Sequence, residues 1–257
     1  MPYLKYINDE NLNIARNLVR GATVVHKFGR NPSVGGAPET IWMYGGTYTY
    51  LTSPSTVYVT SNDNADAAAG TGARTITVQG LDVNYLEIAE TLTVGGAVST
   101  KSFLRVLRAF VSSAGSTQTN EGNVIVTTGA GGSGTVLADI GTIGTGTTFG
   151  LGQTQLAIYT IPAHCTGYLN TWNVGLGEYN NAATVTLYTR AIGNGLIFRT
   201  RDIMDIPGGF HRRKYDVPFA LPEKTDIEIR AIADTGSTIS SSFDITLLQN
   251  DHVESRR

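Results

Sequence analysis

The side chains best suited to nucleophilic, metal or acid–base chemistry are His26, His164, His211, His252, Cys165 and two groups of carboxylates. The histidines are dispersed, and none has the helical i, i+4 spacing that presents two imidazoles to zinc, so no histidine-bound metal is expected. His164 next to Cys165 comes nearest to a base beside a thiol. Adjacent strand residues point to opposite faces, however, and the pair reads as a turn residue beside a small apolar thiol. Because Cys165 is the sole cysteine, an intrachain disulfide and a thiolate cluster are both excluded.

The carboxylates invite two other readings. Asn62-Asp63-Asn64-Ala65-Asp66 carries oxygen ligands suited to calcium, but it lacks the fixed glycine and distal glutamate of an EF-hand loop, which leaves Asx turns as its expected role. Asp202, Asp205, Glu223, Asp226 and Glu228 could supply paired carboxylates for sugar hydrolysis. Solvated strand edges explain them more simply. Gly129-Ala130-Gly131-Gly132-Ser133-Gly134-Thr135 is glycine-rich like a phosphate loop, yet no Lys-Ser/Thr pair follows it, and nucleotide binding is discarded. The chain is therefore read as noncatalytic, with no catalytic, cofactor-binding or metal-binding residue assigned and no cofactor expected.

Two clusters suggest contact rather than catalysis. Trp42, Tyr44, Tyr48 and Tyr50 could form a sugar platform, although aromatic strand residues more often fill a core or a cross-strand ladder. Phe210-His211-Arg212-Arg213-Lys214-Tyr215 is basic and aromatic, and reads as a solvated loop or a partner contact. With a formal charge of −2 and a pI near 6.1, the chain offers no general attraction to a polyanion, and nucleic acid is not an expected partner.

The elements that would position these residues are strands. In Asp226–Ala233, Ile227, Ile229 and Ala231 fall on one face and Asp226, Glu228 and Arg230 on the other, the pattern of a half-buried strand. After a turn at Asp234-Thr235-Gly236 the alternation resumes, with Ile239, Phe243, Ile245 and Leu247 on one side, predicting an antiparallel hairpin. Charged residues are only 16%, against about 25% in ordinary globular proteins, which implies hydroxyl-rich strand surfaces. No apolar run reaches the roughly 18 residues of a membrane span, and Met1–Tyr6 lacks a secretory signal's apolar segment, so a soluble chain without membrane contact is expected.

Near the N-terminus, Asn8 or Asp9 can cap a helix over Asn11–Arg20 that Gly21 would end. The stretch from there to Pro38 is rich in breakers. The expected fold class is all-β: two β-sandwich or jelly-roll-like domains with a short N-terminal helix and arm. The expected divisions are an arm over residues 1–40, a first β-sandwich over 41–128, a Gly/Thr-rich connection over 129–152, and a second sandwich or jelly roll over 153–257.

Three segments are Ile41-Trp42-Met43-Tyr44-Gly45-Gly46-Thr47-Tyr48-Thr49-Tyr50, Ile158–Ala163 with Thr166–Leu169, and Glu223–Ala231. They resemble segments of virion structural proteins from tailed phages, notably marine short-tailed ones. The resemblance spans roughly Ile41 to Leu248 and carries over no functional residue. It implies a β-sandwich subunit of the virion that cements or decorates the capsid by bridging major capsid protein subunits. The alternative is a tail adaptor, knob or fibre subunit among tail proteins. It also implies a homo-oligomer, with a trimer as the analogy. A carbohydrate-active enzyme on a jelly-roll scaffold is the third reading, motivated by the scattered carboxylates.

Overall fold

The computed structural model describes residues 9–144, 149–178, 180–192, 196–233 and 236–250, and His252 lies outside them. Helix α1 (Glu10–Ala15) starts where the sequence predicts: the Asp9 carboxylate accepts from Leu12 N at 3.0 Å. It stops short of the predicted Arg20. Asn17, rather than Gly21, takes the left-handed position that ends it (φ 56°), and Leu18 N–H to Asn13 O with Asn17 N–H to Ile14 O close the turn.

Strands follow in chain order. The first half holds β1 (Ala22–Val34), β2 (Glu39–Thr40), β3 (Tyr58–Ser61), β4 (Ala73–Leu81), β5 (Glu87–Thr93), β6 (Arg105–Ala114), β7 (Val124–Thr127), β8 (Val136–Ile140), β9 (Thr142–Ile143) and β10 (Phe149–Gly150). The second holds β11 (Ile158–Thr160), β12 (Cys165–Leu176), β13 (Ala183–Ala191), β14 (Arg199–Ile206), β15 (Gly209–Leu221), β16 (Thr225–Ala233) and β17 (Ser237–Gln249). The fold is all-β sandwich, as the alternating patterns predict.

Two sheets, ordered β1-β17-β12-β15 and β11-β16-β13-β14, enclose the larger core. Trp172, Val174, Phe243 and Ile245 from the first sheet meet Val185, Leu187, Ile227 and Ile229 from the second. The buried Trp172 indole donates to Ser241 Oγ at 3.0 Å, so this large ring is hidden without an orphaned N–H. The sheets β5-β4-β6 and β3-β7-β8 enclose a smaller core of Val59, Ile76, Val78, Val106, Val126 and Ile140. Strand β6 serves both cores: Val106 and Ala109 belong to the smaller one, Leu107 to the larger.

Three readings of the sequence are overturned. β16 and β17 do not form the predicted antiparallel hairpin: β16 pairs with β11, β13 and β2, whereas β17 pairs with β1 and β12, so the two strands lie in facing sheets and their apolar faces meet across the core rather than side by side. Residues 22–34, assigned to the arm, form β1, which pairs with β17 from Ala22 opposite Leu248 to Val34 opposite Ser237. Its core-facing positions include Lys27 and Gly29, which hides the alternation. A Cβ at Gly29 would lie 2.2 Å from Ile41 O, so glycine is what lets the neighbouring backbone pass. The Gly/Thr tract 129–152, assigned to a connection, contains β8, which pairs with β7 and places Leu137, Ala138 and Ile140 in the smaller core.

Candidate functional site

Strand β16 turns Ile227, Ile229 and Ala231 into the larger core, as its alternation requires. The opposite face, carrying Asp226 and Glu228, was expected to be solvated and is instead buried, at 1% and 0% exposure. The cause is a cover over the second sheet. β6 brings Arg105 over Asp226, and the rings of Tyr50 and Phe198 lie over Arg190, while Glu39–Thr40 joins the same sheet beside Arg230–Ala231 and Ile41 N donates to Ile229 O at 3.0 Å.

Arg105 Nε and Nη2 donate to the two oxygens of Asp226 at 2.9 and 3.0 Å, the forked geometry that suits a guanidinium to a carboxylate. Arg190 of β13 donates Nε and Nη2 to Oδ2 at 3.0 and 2.6 Å, and Thr160 Oγ1 donates to Oδ1 at 2.6 Å. Glu228 accepts from Arg230 Nε and Nη2 at 2.7 and 2.9 Å and from Thr40 Oγ1 at 2.5 Å. Aromatic rings roof the cations: the Arg190 guanidinium lies 4.3 Å from the Tyr50 ring centroid and 4.6 Å from that of Phe198, while Arg230 lies 4.7 Å from Phe198.

The electrostatics fit a permanent tie. Burial works against the Arg105 charge, but the hydrogen bonds and attraction of Asp226 outweigh it and hold the guanidinium pKa above its ordinary value. Hydrogen bonding to Glu228 raises that of Arg230 against a smaller opposing effect of burial. Burial, then the nearby carboxylates, pushes the Tyr50 phenol well above its ordinary range, which keeps it neutral. Every oxygen of both buried carboxylates accepts a hydrogen bond, and what the cluster does is join β6 to the second sheet. The sequence offered one signal for it: an arginine, Arg105, inside the otherwise apolar run Phe103–Leu107.

The other candidate residues are held apart. His26 Nδ1 lies 2.6 Å from Asp244 Oδ1, and His211 Nε2 lies 3.2 Å from Gly208 O. His164 occupies a left-handed turn (φ 61°) with its backbone N–H on Glu223 Oε2, and Cys165 begins β12. Asp202 accepts from Arg213 and Tyr215, and Asp205 from Thr184. In the 62–66 loop, Asp66 accepts from Ser61 Oγ and from the N–H groups of Ala73, Glu121 and Gly122, while Asp63 makes an Asx turn with Ala65 N. Among the described residues no group of His, Cys, Asp or Glu is arranged to hold a metal ion. The aromatic ladder packs as expected: Trp42, Tyr48 and Tyr50 stand edge to face at 5.1 and 4.9 Å, and Tyr44 is exposed.

An exposed rim lies at the far side of the sandwich, where β14 and β15 are the outer strands of their sheets. The basic run 210–215, expected as a loop or contact, is part of β15. Its register jumps from Leu169 opposite Phe219 to Thr171 opposite Lys214, so Tyr215–Pro218 leaves the pairing with β12; Tyr215 still packs against the larger core, while Val217 is 83% exposed. Phe210 on the same strand and Ile203 on β14 are also exposed, as are Arg212, Arg213 and Lys214.

No family model and no curated protein matches the chain. Among solved structures, it overlaps the infectious bursal disease virus VP2 subviral particle at a TM-score of 0.23 and 11% identity, over 91% of this chain and 74% of that one. It overlaps the infectious bursal disease virus Gx strain structure at 0.22 and 10%, over 92% and 82%. Overlaps at these scores carry no argument about this chain.

Proposed function

We propose that the chain is a noncatalytic structural subunit of a tailed-phage virion that cements the shell by bridging major capsid protein subunits as a homo-oligomer. The observation that carries this reading is where the three segments resembling virion proteins lie. Ile41–Tyr50, Ile158–Ala163 with Thr166–Leu169, and Glu223–Ala231 converge on one seam: β11 pairs with β16, Ile41 hydrogen-bonds Ile229, and Ala157 N donates to Ile41 O at 2.9 Å. At this seam Asp226 and Glu228 are bound by arginines, which suits a rigid joint under load better than a reaction centre. The rim at Phe210 and Val217 supplies exposed apolar surface flanked by arginines, the composition of a protein contact. Many symmetric copies would turn a modest contact into a firm one.

Antibody labelling of purified particles tests the reading: label over the whole shell supports cementing, and label confined to one vertex moves the subunit to the tail as an adaptor, knob or fibre. Val217→Asp, at a solvent-facing bulge, should change folding stability by no more than about 0.5 kcal/mol while lowering occupancy on particles. Particles lacking the protein should rupture at lower temperature. Equal heat resistance in particles shown to be free of it would remove the cementing role.

A further inference from the structure

A cleft of about 460 Å³ opens between β1 and the β5-β4-β6 sheet, with Lys27 and Arg108 on its walls. A second depression of about 240 Å³, reaching Gln153 and Thr154, shares the same two cations, so they stand at the junction of both. The Lys27 ammonium has three donors, and the structure gives it one acceptor, Leu107 O at 2.5 Å. Arg108 directs Nε and Nη2 to Gln153 Oε1 and lies 4.8 Å from the Phe110 ring centroid.

These cations differ from those of the β16 seam. Arg105, Arg190 and Arg230 each pair with a carboxylate, whereas among the described residues neither Lys27 nor Arg108 makes an ion pair. Burial, and then the charge of Arg108, bring the Lys27 amine down to about 7. Two cationic side chains on a concave wall, neither bonded to a carboxylate, favour an anion there, against the opposing charge of Glu87 on the same wall. His26, also on the wall, has its Nδ1 taken up by Asp244 Oδ1 at 2.6 Å. Glu87 on the cleft wall disfavours a multiply charged ligand, and Val24, Ile88, Leu107 and Tyr159 offer apolar walls to an aliphatic stem.

We propose that this cleft binds a carboxylate carried on a short aliphatic stem, held between Lys27 and Arg108. The carboxylate belongs either to a free small acid or to an acidic side chain of a neighbouring subunit. This site is separate from the β16 seam and independent of the virion reading.

Butyrate titrated into the full chain, followed by NMR of lysine labelled at the ε carbon, tests it. The Lys27 amine pKa should rise by about one unit on binding, because the carboxylate stabilises the ammonium. Lys27→Met and Arg108→Gln should each weaken butyrate binding about tenfold, and the exposed Arg108 makes its variant safe for folding. A glutamate-containing peptide distinguishes the sources: tighter binding than butyrate points to a neighbour's side chain, equal or weaker binding to a free acid. An unmoved Lys27 signal at butyrate concentrations of about 50 mM, well above a millimolar affinity, overturns the proposal. So does unchanged affinity in both variants, or binding of inorganic phosphate in place of butyrate.

Discussion

Asp226 on β16 and Asp139 on β8 are almost equally hidden, at 1% and 4% exposure, yet their surroundings are opposite. Asp226 faces two guanidiniums and a threonine hydroxyl. Asp139 makes no ion pair among the described residues, its Oδ1 has no hydrogen-bond partner, and its strand neighbours Leu137, Ala138 and Ile140 line an apolar core. Burial alone pushes its carboxyl up from 3.8 to about 7. The contrast teaches that burial fixes the cost of a charge, while the partners decide whether the charge survives. In this molecule the compensated carboxylate sits where the two β regions meet, and the uncompensated one sits within a single small core.

The sharpest way to break the comparison is to remove Asp226. Asp226→Ala would leave Arg105 and Arg190 facing each other in a buried site, and should cost about 3–5 kcal/mol in urea unfolding. Replacing Asp226, Arg105 and Arg190 together by Leu, Met and Met should recover most of that loss, because an apolar filling removes both the attraction and the desolvation. A single-variant loss below about 1 kcal/mol would mean that water reaches the seam and that it is not the tie described above.

Asp139 makes the opposite prediction, and its sign follows from proton binding. With a folded pKa of about 7 against an ordinary 3.8, the folded protein keeps a proton that the unfolded chain has released across that interval. Stability on this account is full below the lower value and declines as pH rises through about 7. Asp139→Asn, which cannot ionise, should therefore gain on the order of 2–4 kcal/mol over the natural protein at pH 8, and almost nothing near pH 4. Urea unfolding of both proteins at the two pH values measures the difference. Parallel stability profiles would show that Asp139 has a compensating partner after all.

The same contrast explains what could be read from the sequence. The core faces of β16 and β17 were legible because Ile227, Ile229, Phe243 and Ile245 alternate strictly, and period-two alternation reports one covered face. It cannot report whether the other face is also covered. That is why Asp226 and Glu228 read as solvated, although long-range neighbours, Arg105 at a separation of 121 residues and Thr40 at 188, bury and neutralise them. β1 was obscured because Lys27 and Gly29 occupy two of its inward positions, the second forced by the close approach of Ile41 O, and break the apolar period. The short β8 was masked by the glycines around it, which make turns such as Gly131 (φ 63°) and Gly134 (φ 77°) rather than a spacer. The aromatic ladder was legible because large rings have few good places besides a core.

The smallest effect asks whether the compensated region is complete. The Tyr50 hydroxyl is buried beside this network without a hydrogen-bond partner, while its ring lies 4.3 Å from the Arg190 guanidinium and 5.0 Å from that of Arg105. Ring and hydroxyl thus pull in opposite directions. Tyr50→Phe keeps the ring over both cations and deletes the orphaned polar atom, so stability should be unchanged or rise by about 0.5–1 kcal/mol. Tyr50→Leu discards the ring's quadrupole as well and should lose about 1–2 kcal/mol relative to Phe. A loss on going to Phe would reverse the assignment: the hydroxyl would then be a working member of the network, bonded through water, and the seam would owe part of its strength to solvent rather than to the arginine pairs alone.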